Sequence, residues 1–215
     1  MIKAVIFDMD GVMIDNQPYQ KKAWSQLFAE EGLKISDEEL SKKIRGRPTL
    51  VGLREYFSGK YGEDYIQRLA RRKEEIYKDI FEKEFKIVRG LVEFVKNLHQ
   101  SRLKIGIATS STKDLFDFSM KKMGIADYFD VIVTSDQITH PKPHPETYLI
   151  TADELRIVPN QCLVFEDSVA GIESARAAGM KVILVMTSHT TKEVGPVNGA
   201  INNFTEIKAS DILQI

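Results

Sequence analysis

One cysteine, one tryptophan and four histidines are all that 215 residues contain of the types that build disulfide frameworks, aromatic cages and soft-metal centres. Cys162 by itself can form neither an internal disulfide nor a thiolate cluster. Set in the apolar run from Gln161 to Phe165, it is expected to pack as a small buried hydrophobe. His99, His140, His144 and His189 show no His-x-x-x-His pair on a helix and no Ser-His-Asp order. His99 reads as a helix residue, and His140 and His144, which flank Lys142, read as solvated. Charge of one sign is missing too: thirty basic residues against thirty-one acidic give a net charge of -1. No long-range field favours nucleic acid or an anionic membrane, so an anionic ligand must be captured locally. A long apolar run is also absent at the amino terminus, where Met1 to Phe7 is interrupted by Asp8 and Asp10, too early for a signal core or a membrane span. The cytoplasm is the expected compartment.

What is present is the composition of a globular chain, 43% hydrophobic and 28% charged, with 13 Gly and 7 Pro, able to bury a substantial core. Five short apolar runs read as buried parallel strands: Ala4 to Phe7, Lys104 to Ala108, Val131 to Thr134, Cys162 to Phe165 and Val182 to Val185. The last four alternate with helical patterns over Asp114 to Met123, Pro145 to Leu155 and Ser168 to Ala178. That alternation predicts a doubly wound, Rossmann-like α/β domain with its site at the carboxyl edge of the sheet. The tail from Ala200 to Ile215 is expected to add an edge strand and a short helix.

Between the first and second strands the pattern is helical only: Tyr19 to Glu31, Asp37 to Lys43, Val51 to Lys60 and Asp64 to Phe81. An ordinary crossover is far shorter. The expected organisation is a core domain of residues 1–14 and 85–215 with a helical domain of residues 15–84 inserted into it. Leu91 to Gln100 is then the helix that returns the chain to the sheet.

Four strand ends carry polar groups that a parallel sheet would gather on one edge: Asp8 and Asp10, Thr109 and Ser110, Lys142, and Glu166 with Asp167. Two carboxylates directly after an apolar strand are costly to desolvate unless a cation accompanies them. Hard oxygen donors from Asp8, Asp167 and the carbonyl of Asp10 suit Mg²⁺, whereas zinc would draw on His or Cys. Thr109 and Ser110 read either as a cap for a helix beginning near Lys113 or as an anion site at its N-terminus. Lys142, in His140-Pro141-Lys142-Pro143-His144-Pro145, is held in a loop stiffened by prolines. A fixed ammonium there would neutralise a transferring phosphoryl group. Glu166, Asp167 and Ser168 read as an acidic N-cap region or as metal ligands.

Taken in order, Asp8-Met9-Asp10-Gly11-Val12, Thr109 within Ile107 to Ser111, Lys142-Pro143-His144-Pro145, and Glu166-Asp167-Ser168 leading into Ala170-Gly171-Ile172 resemble the four motifs of the haloacid dehalogenase superfamily. The branch is the β-phosphoglucomutase-like one with a helical cap, and the likeness covers nearly the whole chain. It implies that Asp8 attacks phosphorus and that Asp10 protonates the leaving oxygen and then activates water against the aspartyl phosphate. It implies further that Thr109, Ser110 and Lys142 hold the phosphoryl oxygens, that Asp8, Asp10, Glu166 and Asp167 serve Mg²⁺, and that the inserted helices are a cap closing over the substrate. Glu166 is a ligand or an anchor beside the ligands.

The chain departs from the sugar phosphomutases of that branch at Gln20, where they carry a histidine, and in Arg45-Gly46-Arg47-Pro48-Thr49, where they carry a lysine and then an arginine near the position of Thr49. Asn16 stands where a Ser or Thr often helps seat the phosphate. Gln20, Arg45, Gly46 and Arg47 are therefore the candidate substrate contacts of the cap, the two guanidiniums suiting an anionic leaving group unless they are simply solvated. Trp24 and Phe28 share one helix face and read as cap core. The expected activity is a magnesium-dependent phosphatase acting on a small phosphorylated metabolite such as a sugar phosphate. A phosphomutase is the runner-up and a phospho-acceptor binding protein the third reading. No nucleic-acid or membrane partner is expected, and the chain is expected to be a monomer.

Overall fold

The computed structural model describes residues 1–36, 38–40, 44, 48–57 and 59–215. Its contacts divide the chain into two compact units, one of Met1–Asp15 with Lys86–Ile215 and the other of Asn16–Phe85.

In the first unit, six parallel strands lie in the order β3-β2-β1-β4-β5-β6: β1 Ala4–Phe7, β2 Lys104–Ala108, β3 Val131–Val133, β4 Cys162–Glu166, β5 Lys181–Val185 and β6 Gly199–Ile201. This is the doubly wound α/β sheet expected from the strand-helix alternation. β3 stops at Val133, because Thr134 turns instead, its backbone N–H donating to Gln137 Oε1 at 2.9 Å. β1 runs down the centre and is buried at all four positions, which explains why it reads as a continuous apolar run rather than an alternating one.

Successive strand residues face opposite sides of the sheet, and the two sides have different fillings. Ala4, Ile6, Cys162 and Val164 share a core with Tyr148, Ala152 and Leu155 of the helix Glu146–Leu155 and with Ile172 and Ala175 of the helix Val169–Ala177. Phe7 and Phe165 face the other way and stack at 5.2 Å, joined by Phe94 and Phe204. Phe94 belongs to the returning helix Leu91–Gln100. These six-membered rings bury large areas and favour the stacked and edge-on pairings seen here. β6 and a short helix, Ala209–Ile212, complete the tail.

The second unit is helical, with Gln17–Glu30, Thr49–Phe57 and Glu63–Lys83 among the described residues. Trp24, Leu27 and Phe28 of the first of these are buried, as are Tyr77 and Phe81 of the third. Trp24 and Phe28 thus lie in the unit's own core, as their shared face suggests. Asn16 Nδ2 donates to Tyr77 Oη at 2.8 Å, and Arg72 pairs with Glu30 at 2.8 Å. The expected helix over Asp37 to Lys43 lies largely outside the described residues.

Candidate active site

The parity of the strands sets the site. In β4, Cys162 and Val164 face the Tyr148 side of the sheet, and so does Glu166 at the strand's end. Phe7 pairs with Phe165, so Asp8, one residue beyond β1, falls beside Glu166, and its backbone N–H continues the ladder to Phe165 O at 3.0 Å. Ala4, Ile6 and Asp8 also share that side. Two carboxylates are therefore delivered side by side against the buried ring of Tyr148.

Lys142 fills the gap between them. Its ammonium Nζ donates to Asp8 Oδ1 at 2.7 Å, Glu166 Oε1 at 2.7 Å, Ala108 O at 3.1 Å and Tyr148 Oη at 3.1 Å, with the side chain only 2% exposed. Burial pushes the Lys142 ammonium towards losing its proton, but the charges of Asp8 and Glu166 outweigh that and hold it well above the usual lysine value. Lys142 is a fixed cation at any ordinary pH. Tyr148 was not legible as a site residue; it donates to Glu166 Oε1 at 2.9 Å.

Glu166 is fully engaged by protein donors. Oε1 takes Lys142 and Tyr148, while Oε2 accepts the backbone N–H groups of Asp167 and Ser168 at 2.9 and 3.0 Å and Ser168 Oγ at 3.0 Å. Burial raises the Glu166 carboxyl, yet Lys142 and these donors hold it below the usual carboxylate range. Ser168 also caps the helix Val169–Ala177, its Oγ accepting from Gly171 N at 3.0 Å, so the acidic pair itself is not the cap.

Asp167, 2% exposed, has the opposite character: burial, then the neighbouring charge of Glu166, pushes its carboxyl up to about 8. Ser188 Oγ donates to Asp167 Oδ2, and His189 Nδ1 meets Asp167 O at 2.9 Å. Asp8 is likewise raised well above the usual value by burial, against the pull of Lys142. Asp10 Oδ2 accepts from Ser111 Oγ at 2.6 Å, and Gly11 O accepts from Thr187 Oγ1 at 2.5 Å. Ser111, Thr187 and Ser188 are additions to the residues chosen from sequence, and only their place two or three residues after strands hinted at them.

Thr109 is fully buried after β2, its N–H bonded to Val133 O at 3.0 Å and its Oγ1 accepting from Ser111 N at 3.1 Å. It does not cap the following helix, Lys113–Met123, whose N-cap is Thr112; Asp136 Oδ2 instead accepts from Lys113 N at 2.6 Å. Ser110 lies between Thr109 and Ser111, half-buried. In the helical unit, Gln20 Oε1 accepts from the buried ammonium of Lys73, which also sits 5.1 Å from the Trp24 ring centroid and 5.2 Å from that of Tyr77. Arg45, Gly46 and Arg47 lie outside the described residues.

The donor set suits a hard divalent cation. Buried carboxylate oxygens of Asp8, Glu166 and Asp167 lie within 4.8 Å of one another, with the single ammonium of Lys142 set against the three. The residual charge is that of a divalent ion, and all-oxygen donors favour Mg²⁺ over zinc. Burial beside the charge of Glu166 raises the Asp167 carboxyl, and a cation bound next to it would lower it again.

The fold and the order of these groups mark a phosphoryl-transfer scaffold of the doubly wound kind. Residues 5–185 match the model of the haloacid dehalogenase-like hydrolases, and the chain belongs to that family, in its β-phosphoglucomutase-like branch. It is 36% identical over 185 residues to a phosphorylated carbohydrates phosphatase of Thermotoga maritima, covering 85% of this chain and 84% of that protein. It is 32% identical to a fructose-1-phosphate phosphatase of Escherichia coli over 179 residues, 83% of this chain and 94% of the other. The crystal structure of a β-phosphoglucomutase from Clostridium difficile superposes with a TM-score of 0.88 at 26% identity, over 100% of this chain and 96% of that one.

Proposed function

We propose that this phosphoric monoester hydrolase acts on a small phosphorylated sugar or similar metabolite, with Mg²⁺ and through a phosphorylated Asp8. The observation that carries the reading is Lys142, pinned between Asp8 and Glu166 at the carboxyl edge of the sheet. A phosphatase working by covalent catalysis needs a carboxylate nucleophile held in one orientation and a cation beside it where charge builds up.

In this reading Asp8 attacks phosphorus with its second oxygen while Lys142 holds Oδ1. Asp10, steadied by Ser111, gives a proton to the departing oxygen and then takes one from the water that cleaves the acyl phosphate. Thr109 and Ser110 bind phosphoryl oxygens. Asp8, Asp167 and the carbonyl of Asp10 are the ligands that would hold Mg²⁺, whose role when bound is to shield the nucleophile from the phosphate's negative charge. Glu166, with both oxygens committed to protein donors, serves as the anchor of Lys142. Residues 15–84 act as the cap, with Gln20, Arg45, Gly46 and Arg47 contributing to the choice of substrate.

Hydrolysis is favoured over mutase chemistry by Gln20, which stands where the mutases carry a histidine and is engaged by Lys73, and by the phosphatase names of two relatives that match most of the chain. The test is phosphate release from a panel of sugar phosphates and an aryl phosphate, with Mg²⁺ and with a chelator. Asp8→Asn is expected to abolish Mg²⁺-dependent release while leaving the thermal transition in place, and retained turnover would refute the nucleophile. Interconversion of glucose phosphates on adding glucose 1,6-bisphosphate would favour a mutase.

A further inference from the structure

We infer that His140, His144 and Glu146 form a second metal site, on the surface of the α/β unit, that takes one borderline divalent transition ion of the Zn²⁺ type. The two histidines are four apart, but in a proline-rich loop rather than on a helix, so the helix rule that finds such pairs passes over them. The loop nevertheless brings their rings together, with centroids 4.7 Å apart. His140 Nδ1 lies 2.7 Å and His144 Nδ1 3.8 Å from the same oxygen, Glu146 Oε2. All three residues offer a ligand atom within 4.8 Å of one another.

Donor atoms on one tetrahedral ion with bonds near 2.0–2.1 Å sit about 3.3 Å apart. The separations of 2.7 and 3.8 Å bracket that value. The backbone is already set: Glu146 Oε1 accepts from Thr139 N and Oε2 from His140 N, both at 2.8 Å, and Ser174 Oγ donates to His144 O at 2.7 Å. Each carboxylate oxygen thus spends one lone pair on the loop; the second of Oε2 meets His140 Nδ1 at 2.7 Å and His144 Nδ1 accepts from Glu146 N at 3.3 Å, two contacts that a bound ion would replace. Two imidazoles and one carboxylate, with water completing the shell, select zinc-like ions. The set proposed to hold magnesium, Asp8, Asp167 and the carbonyl of Asp10, is all oxygen. The two sites therefore sort two ions by donor chemistry, and Lys142 lies on the loop between the two histidine ligands.

The test is a calorimetric titration of Zn²⁺ into the intact protein in excess Mg²⁺ near neutral pH, alongside thermal melts with and without Zn²⁺. One equivalent of Zn²⁺ is expected to bind and to raise the transition temperature, since an ion bound only by the folded state stabilises it. His140→Gln with His144→Gln should weaken that binding at least tenfold and remove the thermal shift, while the melt without zinc stays at the wild-type temperature. Both rings are more than half exposed; the single variant His144→Gln, expected to show a similar loss, guards against a folding defect in the double one. No uptake of Zn²⁺ beyond the Mg²⁺-saturated protein, or equal uptake by the folded variants, would overturn the site. The outcome is independent of whether the protein hydrolyses phosphate esters.

Discussion

Lys142 Nζ and Asp8 Oδ1 lie 2.7 Å apart although 134 residues separate them in the chain. The contact joins the loop after β3 to the end of β1, and Glu166 closes it from the other side at 2.7 Å. Removing one member of a buried ion cluster leaves the others uncompensated, which is costlier than never having had the pair.

Lys142→Met is therefore expected to destabilise the protein by about 3 kcal/mol and to lower phosphate release by about 10²- to 10³-fold. Urea unfolding and steady-state assays on the folded variant check both. A stable, active Lys142→Met protein would contradict the role of the ammonium.

Gly171 has no room for a side chain. A Cβ there would come within 1.7 Å of Glu166 Oε1 and 1.9 Å of its Cδ, so Gly171→Ala must push Glu166 off Lys142. Overpacking of this kind costs about 1–3 kcal/mol, and here activity should fall along with stability. The thermal transition and the rate of phosphate release measure the two effects separately.

Ser111→Ala removes the hydroxyl that donates to Asp10 Oδ2 at 2.6 Å. With Asp10 less well oriented, kcat should drop about tenfold with KM little changed, a fraction of the usual general acid-base contribution. A change confined to KM would place Ser111 in substrate binding instead.

The stability of the metal-free protein should fall as pH rises. Asp167 titrates at about 8 in the folded state, pushed up by burial and then by Glu166, and Asp8 is raised as well, while unfolded aspartates titrate near about 3.9. Between those values the folded state holds protons that the unfolded chain has released, so the unfolding free energy decreases with pH. Glu166 is held below the usual carboxylate range and Lys142 above the usual lysine range, so neither changes charge between about pH 5 and about pH 8. Melts in a chelator from about pH 5 to about pH 8 should show a falling transition temperature, and added Mg²⁺, which binds the deprotonated carboxylates, should flatten the fall. A rise with pH in the chelator would contradict it.

Cys162 is buried, and burial pushes its thiol up to about 11. The thiolate is the reactive form, so an aromatic disulfide reagent at neutral pH should label the protein only at its unfolding rate. Rapid stoichiometric labelling of the folded protein would be inconsistent with this burial.

The strands were legible because parallel strands buried on both faces must be apolar throughout, and Ala4–Phe7 and Lys104–Ala108 have the bounds read from sequence. The identity of the polar groups at their ends was legible for the same reason: a carboxylate just past such a run has to be accounted for. Tyr148 was not, since in a helix that also buries Thr147, Thr151, Ala152 and Leu155 nothing in the order of residues says which one meets Glu166. Nor was the link from Ser188 to Asp167, which depends on β5 lying next to β4.

By itself, then, the sequence determined the doubly wound class, the helical stretch between the first two strands, and the charged groups gathered around Asp8, because periodicity and the cost of burying charge are local properties of the chain. Tertiary structure alone decided how that charge is shared: Glu166 turns to Lys142 and Tyr148, and Asp167 keeps a raised carboxyl. The same is true of His140 and His144, whose meeting over Glu146 depends on the loop's path and not on their spacing. Partnership among buried polar groups is set by strand parity, register and loop course, and those are fixed only once the sheet has assembled.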